Sequence, residues 1–118
     1  MLVVDDEASV RMLVVDVLHD LGYRALEAGD GASALEILRG GGRIDLLVTD
    51  VGLPGGINGR QVADAARAGR PDLPVLFITG YAVGTLEGKE LMGEGMHLMS
   101  KPFSLDALAL RIKELIEG

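Results

Sequence analysis

The feature that most constrains the fold is an alternation of two kinds of apolar segment along the chain. Short runs of aliphatic residues, such as residues 1–4 and 44–49, alternate with longer segments whose apolar residues recur every three to four positions. Short, nearly continuous apolar runs are typical of strands buried on both faces, and the longer spacing is typical of the helices that cover them. The sequence therefore predicts an α/β domain with a parallel sheet between two layers of helices.

Five strands alternate with five helices in this interpretation. Because right-handed crossovers leave few topologies, five strands favour the flavodoxin-like (βα)5 sandwich with strand order 2-1-3-4-5. The whole chain, residues 1–118, is expected to form this one domain. Strands are predicted over residues 1–4, 23–28, 44–49, 75–79 and 96–100, and helices over residues 10–21, 31–39, 60–68, 82–92 and 105–116.

Capping signals and apolar spacing refine the first and last helices. We expect Ser9 to cap the first helix, Gly22 to end it, and Ser104 to cap the last helix. The fourth helix is the weakest, because Gly84 and Gly88 each cost roughly 1 kcal/mol in a helix interior. The residues of the last helix that are predicted to face the core are Leu105, Leu108, Ile112, Leu115 and Ile116.

Composition excludes several classes of function. The net charge of −7 argues against direct nucleic-acid binding, which needs clustered lysine and arginine, and against attraction to an anionic membrane surface. The chain has no cysteine, so disulfides and thiolate metal sites are excluded, and this fits a cytosolic protein. No apolar run approaches the roughly 20 residues of a membrane-spanning helix.

Chemically useful side chains follow the carboxyl ends of four predicted strands. Asp5 and Asp6 follow the first strand and Asp50 the third, whereas Thr79 ends the fourth and Lys101 follows the fifth. In a parallel sheet of this order these ends share one edge, and ligands bind in the crevice there. The sequence therefore predicts a binding site built from these residues.

Three carboxylates at one edge point to a divalent cation and phosphoryl transfer. Like charges destabilise one another, and Mg²⁺, which prefers oxygen ligands, would relieve the repulsion among Asp5, Asp6 and Asp50. The backbone carbonyl of Gly52 offers a further ligand. Phosphoryl transfer needs charge neutralisation and positioning, and a carboxylate can act as the nucleophile. Asp50 is the best candidate nucleophile, because it ends the central strand and no other acid adjoins it.

Each of these signals has an ordinary structural interpretation. Paired acids after a strand are most often loop or cap residues, and Thr-Gly and Lys-Pro are common in turns. What favours a functional site is their joint placement at the ends of strands one, three, four and five.

With these residues in place, the whole chain resembles the receiver domain of two-component response regulators. The motifs that carry the resemblance are Val-Val-Asp5-Asp6-Glu7, Thr49-Asp50-Val-Gly-Leu-Pro54-Gly, Phe77-Ile-Thr79-Gly80 and Lys101-Pro102-Phe103. The resemblance implies that Asp50 takes a phosphoryl group from a histidine kinase or phosphotransfer domain. It also implies that Asp6 and Asp50 bind Mg²⁺ directly, that Asp5 acts largely through water, that Lys101 pairs with the phosphoryl oxygens and that Thr79 moves to bond them.

One departure from the family pattern concerns the switch. Receivers usually carry Tyr or Phe three residues before the lysine, where this chain has Leu98, while Tyr81 stands two residues after Thr79. The string Phe77-Ile-Thr-Gly-Tyr81 resembles a receiver subgroup with a Phe-Ala-Thr-Gly-Tyr-like motif, and the receivers at the C-terminus of some hybrid histidine kinases. Our hypothesis is that Tyr81 reports or controls the switch in this chain, and the alternative is that Tyr81 is a half-buried anchor of its loop.

Two alternatives remain open at this point. One is a constitutive interaction module that keeps the fold without using the phosphate, which Leu98 keeps under consideration. The other is an aspartyl-phosphate phosphatase, which usually needs a second acid where Gly52 stands. The favoured hypothesis is a phosphorylation-controlled switch that is not a turnover enzyme. The chain is either a stand-alone receiver or a piece of a longer kinase or regulator, and its very short first strand slightly favours a piece.

Overall fold

The computed structural model describes residues 1–40, 42–53, 55–79, 96–100 and 103–117. The helix predicted over residues 82–92 lies outside the described residues. The strands are β1 (Leu2–Val4), β2 (Leu26–Ala28), β3 (Leu47–Asp50), β4 (Val75–Thr79) and β5 (Met96–Ser100). The helices of the described part are α1 (Ala8–Asp20), α2 (Gly31–Arg39), α3 (Gly59–Gly69) and α4 (Leu105–Glu117).

All five strands form one parallel sheet in the order β2-β1-β3-β4-β5, so the predicted flavodoxin-like topology is confirmed. In the register of the three central strands, Val4 pairs with Thr49, and Asp50 pairs with Ile78. Continuing the first pairing by one residue sets Asp5 beside Asp50. The carboxyl ends of these strands therefore meet at one edge, at the point where the strand order reverses.

Aliphatic side chains build a separate core on each face of the sheet. The core beneath α2 and α3 contains buried residues of β1, β3 and β4, with Phe77 fully buried. The core beneath α1 and α4 contains the residues that point the opposite way from the same strands. Two-sided burial explains why the strands are continuous apolar runs rather than alternating ones. The buried helix residues are Ala34, Leu38, Val62, Ala63 and Ala66 on one face, and Val14, Val15, Val17, Leu18, Leu108 and Ile112 on the other.

Hydrogen bonds at three helix starts fix where those helices begin. The Asp30 carboxylate accepts from the Ser33 amide at 2.8 Å and caps α2. Asn58 caps α3 in a reciprocal capping box, in which its side chain accepts from the Gln61 amide and the Gln61 side chain accepts from the Asn58 amide, both at 2.9 Å. The predicted Ser104 cap of α4 is confirmed, because its hydroxyl oxygen accepts from the Ala107 amide at 3.1 Å.

The structure corrects two predictions about helices. Ser9 lies inside α1 and does not cap it; the N-cap residue is Glu7, which makes no side-chain capping bond. The helix starts early because the Asp5 carboxylate bonds the Glu7 amide and turns the chain at once after β1. Leu105 does not face the core, since it is 48% exposed at the first position of α4. Gly22 does end α1, with a φ of 90° that favours glycine.

Three strands are shorter than predicted, and β1 differs least, since it begins at Leu2 rather than residue 1. β2 begins at Leu26 rather than residue 23, and β3 runs from Leu47 to Asp50 rather than over residues 44–49. The three residues of β1 pair with all of β2 and with the first three residues of β3, and the fourth residue of β3 pairs with β4. Within the described residues, no helix is both long and apolar enough to cross a membrane.

Candidate functional site

Three carboxylates converge at the carboxyl edge of the sheet. Asp5 and Asp6 follow the last residue of β1, and Asp50 is the last residue of the adjacent strand β3. One carboxylate oxygen from each of the three lies within 4.8 Å of the other two. Asp5 is 2% exposed, Asp50 is half-buried and Asp6 is exposed, so the cluster opens to solvent on one side.

Backbone groups hold Asp5 in place. Its amide donates to the Ala28 carbonyl of β2 at 3.1 Å, and its carboxylate accepts from the Glu7 amide at 2.9 Å. Its own carbonyl accepts from Nη1 of Arg11 at 2.7 Å. Bonds on three sides of one residue give its carboxylate a fixed direction, as a metal ligand requires.

Asp50 is oriented by the turn that follows it. The Gly52 amide donates to the Asp50 carboxylate at 3.3 Å, and the buried Thr49 hydroxyl donates to the Asp50 carbonyl at 3.0 Å. Gly52 is exposed, and an added Cβ there would meet no atom within 4 Å. A side chain at this position of the turn would therefore project into open space.

The start of α3 packs directly against the backbone of Asp50. The Gly59 amide donates to the Val51 carbonyl at 2.9 Å, and the Val51 amide donates to the Ile78 carbonyl of β4 at 3.3 Å. A Cβ added at Gly59 would overlap the Asp50 carbonyl oxygen. Only glycine allows the helix to approach this closely, so Gly59 sets the position of the backbone that carries Asp50.

The chemistry of the donor set fits a hard divalent cation. Three carboxylates this close repel one another, and a cation bound between them removes that repulsion. Mg²⁺ takes oxygen ligands and keeps several waters, which suits a cluster that is buried at Asp5 and open at Asp6. The oxygens of Asp5, Asp6 and Asp50 would hold such an ion.

The remaining predicted site residues are placed only in part. Thr79 ends β4, beside the end of β3. Leu98 lies on β5 opposite Phe77, is half-buried, and packs against the core beneath α2 and α3. Lys101 directly follows the last residue of β5 and, like Tyr81, lies outside the described residues.

Two residues that shape the site, Arg11 and Gly59, were not identified from the sequence. A signal existed for Gly59, because it follows the capping residue Asn58 and so stands at the first position of a helix. Arg11 gave no such signal, since an arginine four residues into the first helix usually points to solvent. Its bond to the Asp5 carbonyl depends on how α1 leaves β1.

Comparison with known proteins identifies the family. A model of the response regulator receiver domain matches residues 1–113. The chain is 37% identical over 117 residues to the sensor kinase CckA of Brucella abortus, covering 98% of this chain and 12% of the kinase. It is 32% identical over 115 residues to the response regulator receiver protein CpdR of the same species, covering 98% of this chain and 94% of that protein.

A solved structure supports the same assignment in three dimensions. The crystal structure of a response regulator receiver protein from Sinorhizobium medicae superposes with a TM-score of 0.90 at 32% identity, covering 99% of this chain and 93% of that one. The chain thus spans nearly all of two relatives and a small part of a third, the kinase. Family match, sheet order and acid cluster agree, and the chain belongs to the family of response regulator receiver domains.

Proposed function

We propose that this domain is the phospho-acceptor of a two-component phosphorelay, with Asp50 as the acceptor and Mg²⁺ as the cofactor. The observation that carries the proposal is the convergence of the Asp5, Asp6 and Asp50 carboxylates within 4.8 Å, in a cluster that is open to solvent at Asp6. The proposed donor is a phosphohistidine of a histidine kinase or phosphotransfer domain, and the proposed setting is the cytoplasm.

The reaction needs little covalent help from the protein. A carboxylate oxygen of Asp50 forms a bond to phosphorus as the bond from phosphorus to the donor imidazole nitrogen breaks, and the imidazole keeps the electron pair. Mg²⁺, when bound, supplies positive charge to the phosphoryl oxygens. The Gly52 amide orients Asp50, and the carboxylates of Asp5, Asp6 and Asp50 would hold the ion. Water later attacks phosphorus and releases phosphate, so the domain acts on itself and is not a turnover enzyme.

Thr79 and Lys101 are proposed to act on the phosphoryl group once it is on Asp50. Thr79 ends the strand next to β3, and Lys101 comes directly after β5 in the sequence. A phosphoryl group brings charge and strong acceptor oxygens, which a hydroxyl and an ammonium group can bond. Movement of Thr79, with Tyr81 in place of the usual aromatic, would then change the surface offered to a downstream partner.

The test is intact-protein mass spectrometry after incubation with acetyl phosphate, with Mg²⁺ or with a chelator. We expect a single phosphate adduct that requires Mg²⁺ and is absent from Asp50→Asn. Asp64→Asn removes an exposed carboxylate on α3 as a matched control and should label like the parent. A folded parent that takes no phosphate, while a known receiver is labelled by the same donor, would refute the proposal.

A constitutive interaction module is the second candidate, and Leu98 is the observation that favours it. The residue is a half-buried aliphatic packed on the core, where receivers usually carry a mobile aromatic. The two functions differ in whether binding depends on phosphate. Once a partner is known, its affinity for the parent and for Asp50→Asn should differ in the presence of acetyl phosphate if the domain is a switch. Equal affinities would favour the constitutive module.

A further inference from the structure

We infer that Arg11 is a positioning residue for the metal site: its guanidinium fixes the segment Asp5–Asp6, and Glu27 fixes the guanidinium. This inference rests on the proposed function, because it concerns the acid cluster that would bind Mg²⁺. Its basis is a pair of hydrogen bonds that joins the edge strand β2 to the backbone of that cluster.

The Arg11 side chain folds back from the first turns of α1 toward the sheet. Its Nη1 donates to the Asp5 carbonyl at 2.7 Å, and its Nε donates to a carboxylate oxygen of Glu27 at 3.1 Å. The Arg11 side chain is 22% exposed and that of Glu27 is 46% exposed. The two bonds hold the guanidinium from two directions, and the bond to the Asp5 carbonyl is the shorter and the less exposed of the two.

Arg11 has a role in the site because its Nη1 donates to the carbonyl of Asp5, a residue of the acid cluster. Asp5 is one residue past the end of β1, and its amide makes the last bond to β2, at Ala28. Its carbonyl belongs to the planar peptide group that joins Asp5 to Asp6. Fixing that oxygen therefore fixes the plane from which the two carboxylates leave the backbone.

The Arg11–Glu27 pair acts through geometry more than through charge. The positive charge of the guanidinium and the negative charge of the Glu27 carboxylate cancel, so the pair adds little net charge near the acid cluster. Both bonds use the planar fork of one guanidinium. A lysine ammonium is a point charge without that fork, so it cannot reproduce both directions.

An ordinary ion pair elsewhere in the chain provides a matched control. Nε of Arg43 lies 3.0 Å from a carboxylate oxygen of Asp45, and both side chains are exposed. This pair precedes β3, so it lies at the amino edge of the sheet, opposite the acid cluster. Exposed pairs contribute little to stability, and loss of this one should leave the metal site unchanged.

The test is Mg²⁺ affinity, measured by titration of backbone amide NMR shifts in the unphosphorylated domain. Arg11→Met and Arg11→Lys should each bind Mg²⁺ about tenfold more weakly than the parent, as expected when a residue that orients metal ligands is lost. Arg43→Met should bind like the parent. If Arg11→Met binds Mg²⁺ as tightly as the parent, the inference is wrong. If Arg11→Lys binds Mg²⁺ as tightly as the parent while Arg11→Met does not, Arg11 acts through its charge and not through its geometry.

A second variant covers the case in which Arg11→Met does not fold. Glu27→Met keeps Arg11 and removes only its anchor on a half-exposed strand, so it should weaken Mg²⁺ binding in the same direction. Unchanged affinity in this variant counts against the inference. Phosphate labelling of the parent separates the two proposals, because a parent that binds Mg²⁺ without labelling refutes the proposed function alone. A parent that binds no Mg²⁺ refutes both.

Discussion

Replacement of Gly59 by alanine should disturb both the stability of the domain and the position of its acceptor residue. In the native structure a Cβ at this position would overlap the Asp50 carbonyl oxygen and lie 2.9 Å from the Asp50 carbonyl carbon and 3.1 Å from the Val51 Cα. All three are backbone atoms, which cannot rotate away as the end of a flexible side chain can. Either α3 or the end of β3 must therefore move.

The magnitude follows from the cost of inserting a methyl group into a packed site. Overpacking of this kind typically costs about 1–3 kcal/mol, which corresponds to a fall in Tm of roughly 4–12 °C for a domain of this size. The displaced backbone belongs to the proposed nucleophile. Because a misplacement of about 1 Å can cost roughly 100-fold in rate, we expect labelling by acetyl phosphate to slow far more than the loss of stability explains.

The assay combines thermal unfolding with the rate of labelling, measured well below the Tm of every variant. Gly69→Ala is the matched control, since it lies at the other end of the same helix and its added Cβ would meet nothing within 4 Å. Alanine should be neutral or slightly stabilising there. A Gly59→Ala variant with the Tm and labelling rate of the parent would refute the packing argument. A lower Tm with the labelling rate of the parent would refute the claim that the overlap at Gly59 displaces Asp50.

Three further changes test the elements that surround the site. Gly31→Ala should lower the free energy of unfolding by about 1–3 kcal/mol in urea titrations, because its Cβ would lie 2.6 Å from the Ile57 side chain; a shift below the error of the titration would contradict this. Asn58→Ala breaks the capping box of α3 and should cost about 1 kcal/mol by the same measurement, whereas Asn58→Asp should retain most of the stability. The pKa of Asp30 lies below its ordinary value of 3.8 because the Ser33 amide and hydroxyl donate to the carboxylate. The ionised carboxylate therefore stabilises the folded state above pH 3.8, and this stabilisation is lost as the pH falls through the lowered pKa. The difference in Tm between the parent and Asp30→Ala should therefore shrink in acid, and a difference that does not change with pH would contradict this assignment.

The parts of the fold that the sequence predicted well are those fixed by local signals. β4 and β5 begin and end where their apolar runs do, and the serine before α4 caps it as expected. The strand order followed from the alternation of elements and the handedness of crossovers, which hold irrespective of side-chain detail. The same topology brought Asp5, Asp6 and Asp50 together, since all three follow or end adjacent strands.

The predictions that failed depend on contacts between distant residues. β2 is shorter than its apolar run because a strand is defined by its partner, and β1 offers only three residues. β3 begins at Leu47, the residue that pairs with Leu2 of β1 and with Val75 of β4. Ser9 is a good capping residue by type, but the Asp5 carboxylate bonds the Glu7 amide first and starts the helix early. Leu105 has the right spacing for the core, yet at the first position of α4 its side chain is left largely exposed to solvent.

The position of β1 inside the sheet, between β2 and β3, has a consequence for how the domain folds. Leu2 pairs with Leu26 on one side and with Leu47 on the other, so the first strand made has both of its neighbours later in the chain. Closing such long loops costs conformational entropy before the stabilising sheet contacts form. Folding is therefore slow relative to domains with mostly local contacts. During synthesis, β1 remains without its second neighbour until β3 emerges, and the acid cluster cannot form earlier. Affinity for a divalent cation would thus report that the first half of the sheet has assembled.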